Sequence, residues 1–443
     1  MFRRLIKIAF SFLFREVSGD TGDFVIRNSS TLFIVNCCAL LAGFVANFVL
    51  IRCAGLTNYG AYVYLFNFFT LAVNFSLLGT DTLVLRRISR FEQEGSFNLS
   101  RGVFRFATMV ALFGSVAIGV LSPLLLDDAH LPFIGPLLLT AFSAACITFL
   151  SLTAVNQSAL QAFRRMITGQ VVEKLARPLF MIVAALIIFF VLGDLRFEHL
   201  IGIGGASVAI VFVVTTFIAW RLVRRQNRGA TPQFETNDWL RESTGFWLLG
   251  ILYVLNSRVD IFLLGLLRNA DDVGRYNIAA RVSEVIGFVL VAVNFVLSPL
   301  IARLYESAPH EMLQKLITMS AKAVLFFTLP IGAAVILFAS PIMHLFRIYD
   351  GDAVVALLIL AGAQLINVIC GSVGTILMMT GKQKYSVYSL LAGTIVSIGL
   401  NLALVPQFGV RGAAIATASG MITWNVMMYF FVRRKLNINP TAF

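Results

Sequence analysis

Between Asn256 and Glu284 the chain sets Arg258, Asp260, Arg281 and Glu284 within or beside apolar runs long enough to cross a bilayer. An Arg or Asp at the centre of a membrane helix costs about 2.5–3.5 kcal/mol on insertion scales. Such groups face a bundle interior or a wet cavity and mark substrate or ion paths. Arg281 and Glu284, at i and i+3, share a helix face. Arg258 and Asp260 are two apart and point to different faces, so one can face a cavity while the other meets a neighbouring helix. Two chemistries fit. Arg258 and Arg281 seat an anion while Asp260 or Glu284 couples transport to a proton or sodium gradient, or the four only lock two helices together as ion pairs.

Asn67, Asn74 and Asp81 recur every seven residues, nearly two helical turns, and so lie on one face of an apolar helix. The stripe reads as a cavity wall or as interhelical hydrogen bonding, which uses the same residues. Arg52 and Arg27, near the ends of the first span, are topology determinants or further cavity cations. Arg86, Arg87, Arg164 and Arg165 lie in short basic loops. There they set topology and are placed to collect a phosphate-bearing headgroup.

No covalent chemistry is encoded alongside these charges. The chain has no phosphate loop of the G-x-x-x-x-G-K-[ST] type, no H-E-x-x-H and no nucleophile elbow. Its five cysteines lie in apolar surroundings without metal-ligand spacing, and its four histidines are scattered. A transporter without ATPase, metal or cofactor is expected, driven by an ion gradient, a substrate gradient or a partner.

The scaffold follows from composition. Of 443 residues 58% are hydrophobic and 13% charged, which defines a polytopic membrane protein. The net charge of +13 sits in short loops between apolar runs, which points to membrane headgroups and not to nucleic acid. Twelve runs approach the roughly 20 residues a spanning helix needs, at 30–52, 58–80, 103–125, 133–154, 177–193, 200–221, 244–267, 275–300, 320–346, 352–379, 386–405 and 411–432. The fifth is short, and its start is expected to reach back to about residue 168. Most of the 35 lysines and arginines fall on the side of the N-terminus, which places both termini in the cytoplasm. Residues 1–23 read as an amphipathic helix lying in the cytoplasmic interface.

The chain also repeats. Tyr59-Gly60-Ala61-Tyr62 corresponds to Val273-Gly274-Arg275-Tyr276, Ser122-Pro123 to Ser340-Pro341, and Gly205-Ala206 to Gly412-Ala413. In order and on equivalent helices, these pairs imply two like-oriented halves of six helices. The expected N-lobe is 24–221, the cytoplasmic linker 222–243 and the C-lobe 244–443. Substrate is expected at the interface between them.

Several motifs carry a family resemblance. They are Leu56-Thr57-Asn58-Tyr59-Gly60-Ala61-Tyr62, Leu78-Gly79-Thr80-Asp81-Thr82, Val259-Asp260-Ile261-Phe262-Leu263-Leu264-Gly265, Asp272-Val273-Gly274-Arg275-Tyr276-Asn277 and the run from Val405 to Ala414. In these the chain resembles the polysaccharide-transporter and O-antigen flippase branch of the multidrug/oligosaccharidyl-lipid/polysaccharide exporter superfamily. That resemblance implies an all-α, MATE-like fold of two six-helix lobes around a central cavity. It implies alternating access that moves a lipid-linked oligosaccharide, commonly linked through undecaprenyl diphosphate, out of the cytoplasmic leaflet of a bacterial or archaeal plasma membrane. Membrane lipids, a glycan polymerase and glycosyltransferases are the implied partners. A cation/drug antiporter of the same superfamily and a non-transporting scaffold subunit are the alternatives.

Overall fold

Ten long apolar helices precede an unusually long segment at the end of the chain in which two crossings are fused, and the computed structural model shows where they part. It describes residues 20–126, 135–163, 165–226, 231–307 and 309–442, which form helices and connecting turns and no strand. The spanning helices are α1 (Asp20–Ala54), α2 (Leu56–Leu77), α3 (Phe97–Leu125), α4 (Pro136–Ala162), α5 (residues 166–192), α6 (Phe197–Gln226), α7 (Thr236–Leu267), α8 (Ala270–Ser307), α9 (His310–Leu337) and α10 (Gly351–Cys370). The final helical segment, Gln383–Leu436, has 54 residues. At 1.5 Å per residue that is about 80 Å, against a hydrocarbon core of about 30 Å. It breaks at Gly409, whose φ of 52° and ψ of −125° belong to no helix, three residues after Pro406 removes a backbone donor. Its limbs, 383–408 (α11) and 410–436 (α12), are separate crossings, so the twelve expected from hydropathy are present.

Six helices from each half pack into a lobe, and the apolar cores show how the lobes meet. At one end a single core crosses between them. It joins Leu50, Tyr59, Tyr64 and Phe69 of the first half to Val273, Tyr276, Ile286 and Leu357 of the second. At the other end there are two separate cores. One holds Leu83, Ile88, Phe106 and Phe163, the other Leu297, Ile317, Ile376 and Val432. The lobes are therefore sealed together at one end and part toward the other.

Glycine sets the sealed contact. A Cβ on Gly60 of α2 would lie 1.8 Å from the Ala270 carbonyl oxygen at the start of α8, and one on Gly274 would lie 2.9 Å from Leu56 and 3.4 Å from the Gly60 Cα. These glycines are repeat equivalents, so each lobe presents the same small residue to the other. Phe44 and Phe48 meet Phe346 edge-on beside this contact.

Several boundaries differ from expectation. The anticipated linker 222–243 is largely helical, because α6 runs to Gln226 and α7 begins at Thr236. Trp239, in the first turn of α7, is fully buried beside Phe106 and Gly102 of α3, so this turn packs with the first lobe. The amphipathic helix anticipated over 1–23 lies outside the described residues except for its last positions, which belong to α1. Asp81 belongs to a separate helix, Thr80–Glu94, and not to the span that carries Asn67 and Asn74. Leu78 and Gly79, both at positive φ, turn the chain between the two.

Candidate anion-binding cavity between the lobes

Where the lobes part they enclose a cavity of about 590 Å³, walled by α1, α2 and α5 of one lobe and α7 and α8 of the other. Its charged lining is Lys174, Arg177, Arg258 and Arg281 against Glu173 and Glu284. Cations outnumber carboxylates, and they come from both lobes.

The α5 contribution arises from local strain in the helix. Pro178 has no N–H to donate, and its ring opposes the carbonyl four residues back. The turn before it, Val172–Ala176, widens into a π-helix in which the Arg177 N–H reaches the Val172 carbonyl. Such widened turns recur at functional sites. Glu173 accepts a hydrogen bond from Gln157 at 2.6 Å, and Lys174 donates to Asn36 of α1 at 2.9 Å.

On the opposite wall Arg281 pairs with Glu284 at 2.9 Å, as their spacing predicted. Arg258 lines the cavity, while Asp260 points away into the second lobe. There Asp260 is buried and accepts bonds from the Tyr276 hydroxyl, from Thr417 at 3.1 Å and from the Ile261 N–H at 2.8 Å. Among the described residues no carboxylate lies within 4.0 Å of the Arg258 or Arg177 guanidinium. Among the described residues, two cations on facing walls thus make no direct ion pair. Fixed arginines in a pocket can replace the water that a phosphate or carboxylate must shed.

The remaining expected site residues divide. Asn67 lines the cavity and donates to the Arg258 carbonyl at 3.0 Å across the α2–α7 contact. Asn74 does not reach it, because α2 and α7 converge there, and it bonds the Thr70 carbonyl of its own helix at 3.0 Å. Arg52 also lies outside. It donates to the Leu345 carbonyl at 2.7 Å and sits over the Phe48 ring, tying α1 to the second lobe at the sealed end. Arg27 belongs to α1, but its side chain is outside the described residues, as is Arg164. Asp81 sits in the first turn of the Thr80–Glu94 helix, away from the cavity, where burial pushes its carboxyl above the usual carboxylate range. Arg86 and Arg87 are both paired with Glu242 of α7, at 3.1 and 2.6 Å, which leaves them less free to collect headgroups. Arg165 is exposed.

Glu173, Lys174 and Arg177 were missed as cavity residues. The expected extension of the fifth span back to about residue 168 already included them, but no cavity role was assigned to them; they lie within a span, residues 168–192. The signal was available. The apolar run Arg177–Leu192 has 16 residues, about 24 Å of helix and too short to cross. The span must therefore carry the preceding charges into the membrane.

A second, largely apolar space of about 400 Å³ adjoins the cavity between α1 and α8. Asn36, Ala39, Leu40 and Lys174 face Phe288, Val291, Ala292 and Phe295 across it, and Ala39, Leu40 and Lys174 line both spaces.

A polytopic bundle of two lobes around a polar inter-lobe cavity has the architecture of a membrane transporter. The chain belongs to the family described as Polysaccharide biosynthesis protein, whose pattern matches residues 25–305, and the pattern described as MatE matches residues 248–403. It is 20% identical to the lipid II flippase MurJ of Bacillus subtilis (strain 168), over 86% of this chain and 77% of that one. It is 22% identical to the probable low-salt glycan biosynthesis flippase Agl15 of Haloferax volcanii, over 48% of this chain and 45% of the other. Its fold matches an inward-facing multidrug resistance MATE family transporter of the MOP superfamily with a TM-score of 0.72 at 14% identity, covering 90% of this chain and 94% of that one.

Proposed function

We propose that the protein is a flippase that carries a lipid-linked oligosaccharide across the plasma membrane of a bacterium or archaeon by alternating access. The observation that carries this reading is the junction of two unlike spaces. A cationic chamber built by both lobes opens into an apolar groove between α1 and α8. An amphiphile with an anionic head and a long apolar tail needs both at once. The head loses bulk water only where fixed cations replace it, while the tail stays in lipid. A diphosphate-linked saccharide, such as one on undecaprenyl diphosphate, meets this description. The flippase relatives support the same substrate class.

In this reading the termini and the open end face the cytoplasm, and the sealed end faces outward. Arg258 and Arg281 contact the head, and closing the open end parts Gly60 from Gly274. Asp260, held by Tyr276 and Thr417, is the group through which a proton or sodium gradient acts on the second lobe. The product feeds O-antigen, capsule or exopolysaccharide assembly by a polymerase and glycosyltransferases. The protein itself carries out no covalent step. An antiporter for cationic drugs is disfavoured by the excess of cations on the wall.

Replacing Arg258 by Ala removes a charge-assisted contact worth about 1.5–3 kcal/mol. Flipping of a fluorescent prenyl-diphosphate saccharide in proteoliposomes is expected to fall by roughly 10- to 100-fold at equal protein incorporation. Wild-type flipping by this variant would overturn the assignment of the cavity as the head site.

A further inference from the structure

The two spaces share one charged residue. Of Ala39, Leu40 and Lys174, which line both, only Lys174 carries a charge. It stands where the polar chamber gives way to the apolar groove. In a lipid-linked saccharide the corresponding point is the phosphate that joins tail to head. That phosphate is the one anionic group whose position is fixed by the boundary, because the tail cannot enter the chamber and the sugars cannot enter the groove without loss.

We infer that Lys174 and Arg177, on the π-helical turn of α5, form the seat of the lipid-proximal phosphate and so set the register of the substrate in the cavity. This inference rests on the flippase reading and assigns the phosphate to the first lobe. Three features favour the turn. The Lys174 ammonium has three donors and uses one on Asn36, leaving two for a phosphate oxygen. Among the described residues no carboxylate lies within 4.0 Å of Arg177, which lines the chamber, so its planar fork is available for bidentate contact. The opposite wall is less ready, because Arg281 is already engaged by Glu284. Arg258 is then left for the sugar side of the head.

The arrangement also couples occupancy to the groove. Asn36 lies on the groove wall, and its bond to Lys174 links α1 to α5. A phosphate that draws the ammonium inward breaks this bond, one polar link among the contacts that hold α1 to α5.

The test uses the purified full-length protein in detergent, with farnesyl diphosphate and farnesol as paired probes differing only in the phosphates. Wild-type protein is expected to bind the diphosphate at least about tenfold more tightly than the alcohol, a difference of about 1.4 kcal/mol. Lys174→Gln, which keeps a donor but loses the charge, is expected to erase about tenfold of that preference. Lys174→Arg is expected to preserve it to within about twofold, and Arg165→Gln, at an exposed cation outside both spaces, to leave it intact. An undiminished preference in Lys174→Gln, with loss in Arg258→Ala, would overturn the assignment while the flippase reading stands. An equal loss of both probes in Lys174→Gln would mean that the side chain packs and does not bind, which also overturns it. Equal affinity of the wild-type protein for both probes would overturn the anionic head site altogether, and with it the flippase reading.

Discussion

The two lobes meet along two seams that are equivalents under the internal repeat, α2 against α7 and α1 against α8, yet one is closed along its length and the other is parted. On the closed seam a Cβ at Gly265 would fall 2.2 Å from the Tyr64 ring, and one at Gly79 would fall 2.4 Å from the Ser243 carbonyl. Backbones approach at both ends because glycine stands there, as small residues allow in membrane bundles. On the open seam Phe288, Val291 and Phe295 of α8 face Leu40 and Ala39 of α1 across a space of about 400 Å³. Those bulky side chains line the space without closing it. Like-oriented repeats thus yield a directional opening, and the choice of side is written in residue size more than in charge. In the flippase reading this space, beside Lys174, is where a lipid tail enters.

The largest expected effect comes from attacking the sealed end, where both seams converge. In Gly60→Val the new Cβ meets the Ala270 carbonyl, a backbone atom that cannot swing aside. Overpacking costs about 1–3 kcal/mol, and more where helices must part. The unfolding temperature in detergent is expected to drop. A cysteine introduced at Asn277, whose side chain bonds Tyr59 across this contact at 2.7 Å, should also gain reactivity toward a membrane-impermeant thiol reagent added on the sealed side. Unchanged reactivity would mean that glycine contact does not form the seal.

The next test sets the seams against each other. Gly265→Leu on the closed seam is expected to cost about 1–3 kcal/mol by clashing with buried Tyr64. Ala292→Trp on the open seam fills the groove, so stability should stay within about 0.5 kcal/mol while flipping is lost. The signature is opposite on the two sides, stability without specific loss of transport against transport without loss of stability. If Ala292→Trp flipped substrate normally, the groove would not be the tail's route.

The sequence revealed the scaffold well because hydrophobic length is a local property. Even the break in the last helical segment was legible, since Pro406 and Gly409 interrupt an apolar run long enough for two spans. The site was legible in part. The spacing of Arg258 and Asp260 required that they diverge, but which one faced the cavity depended on Tyr276 and Thr417, the latter 157 residues away. The seven-residue period put Asn67 and Asn74 on one face correctly, but a period carries no information on where converging helices end a cavity. The shortness of the fifth apolar run already drew Lys174 and Arg177 into the span, but nothing in the sequence said that they face the other lobe across a cavity. The unequal seams had no sequence signal at all, since they depend on which small residue meets which large one across the lobes.

The smallest expected effect is the most discriminating for the closed seam. Asn67 supplies its one polar link within the cavity wall, from Nδ2 to the Arg258 carbonyl, while its own Oδ1 is buried without a partner. Asn67→Ala therefore has two opposing consequences. It loses an interhelical bond worth about 0.6 kcal/mol on average in membrane bundles. It also removes an unsatisfied buried acceptor, whose desolvation costs about 1–3 kcal/mol. The sum predicts a net stabilisation of about 0.4–2.4 kcal/mol, measured by unfolding in detergent. Flipping should fall only a few-fold, because the Arg258 side chain keeps its place on α7. If the seam is held by close backbone approach at Gly79 and Gly265, it survives the loss of Asn67. A loss of several kcal/mol would instead show that the hydrogen bond closes the seam, and the contrast between the two sides would then rest on polarity and not on size.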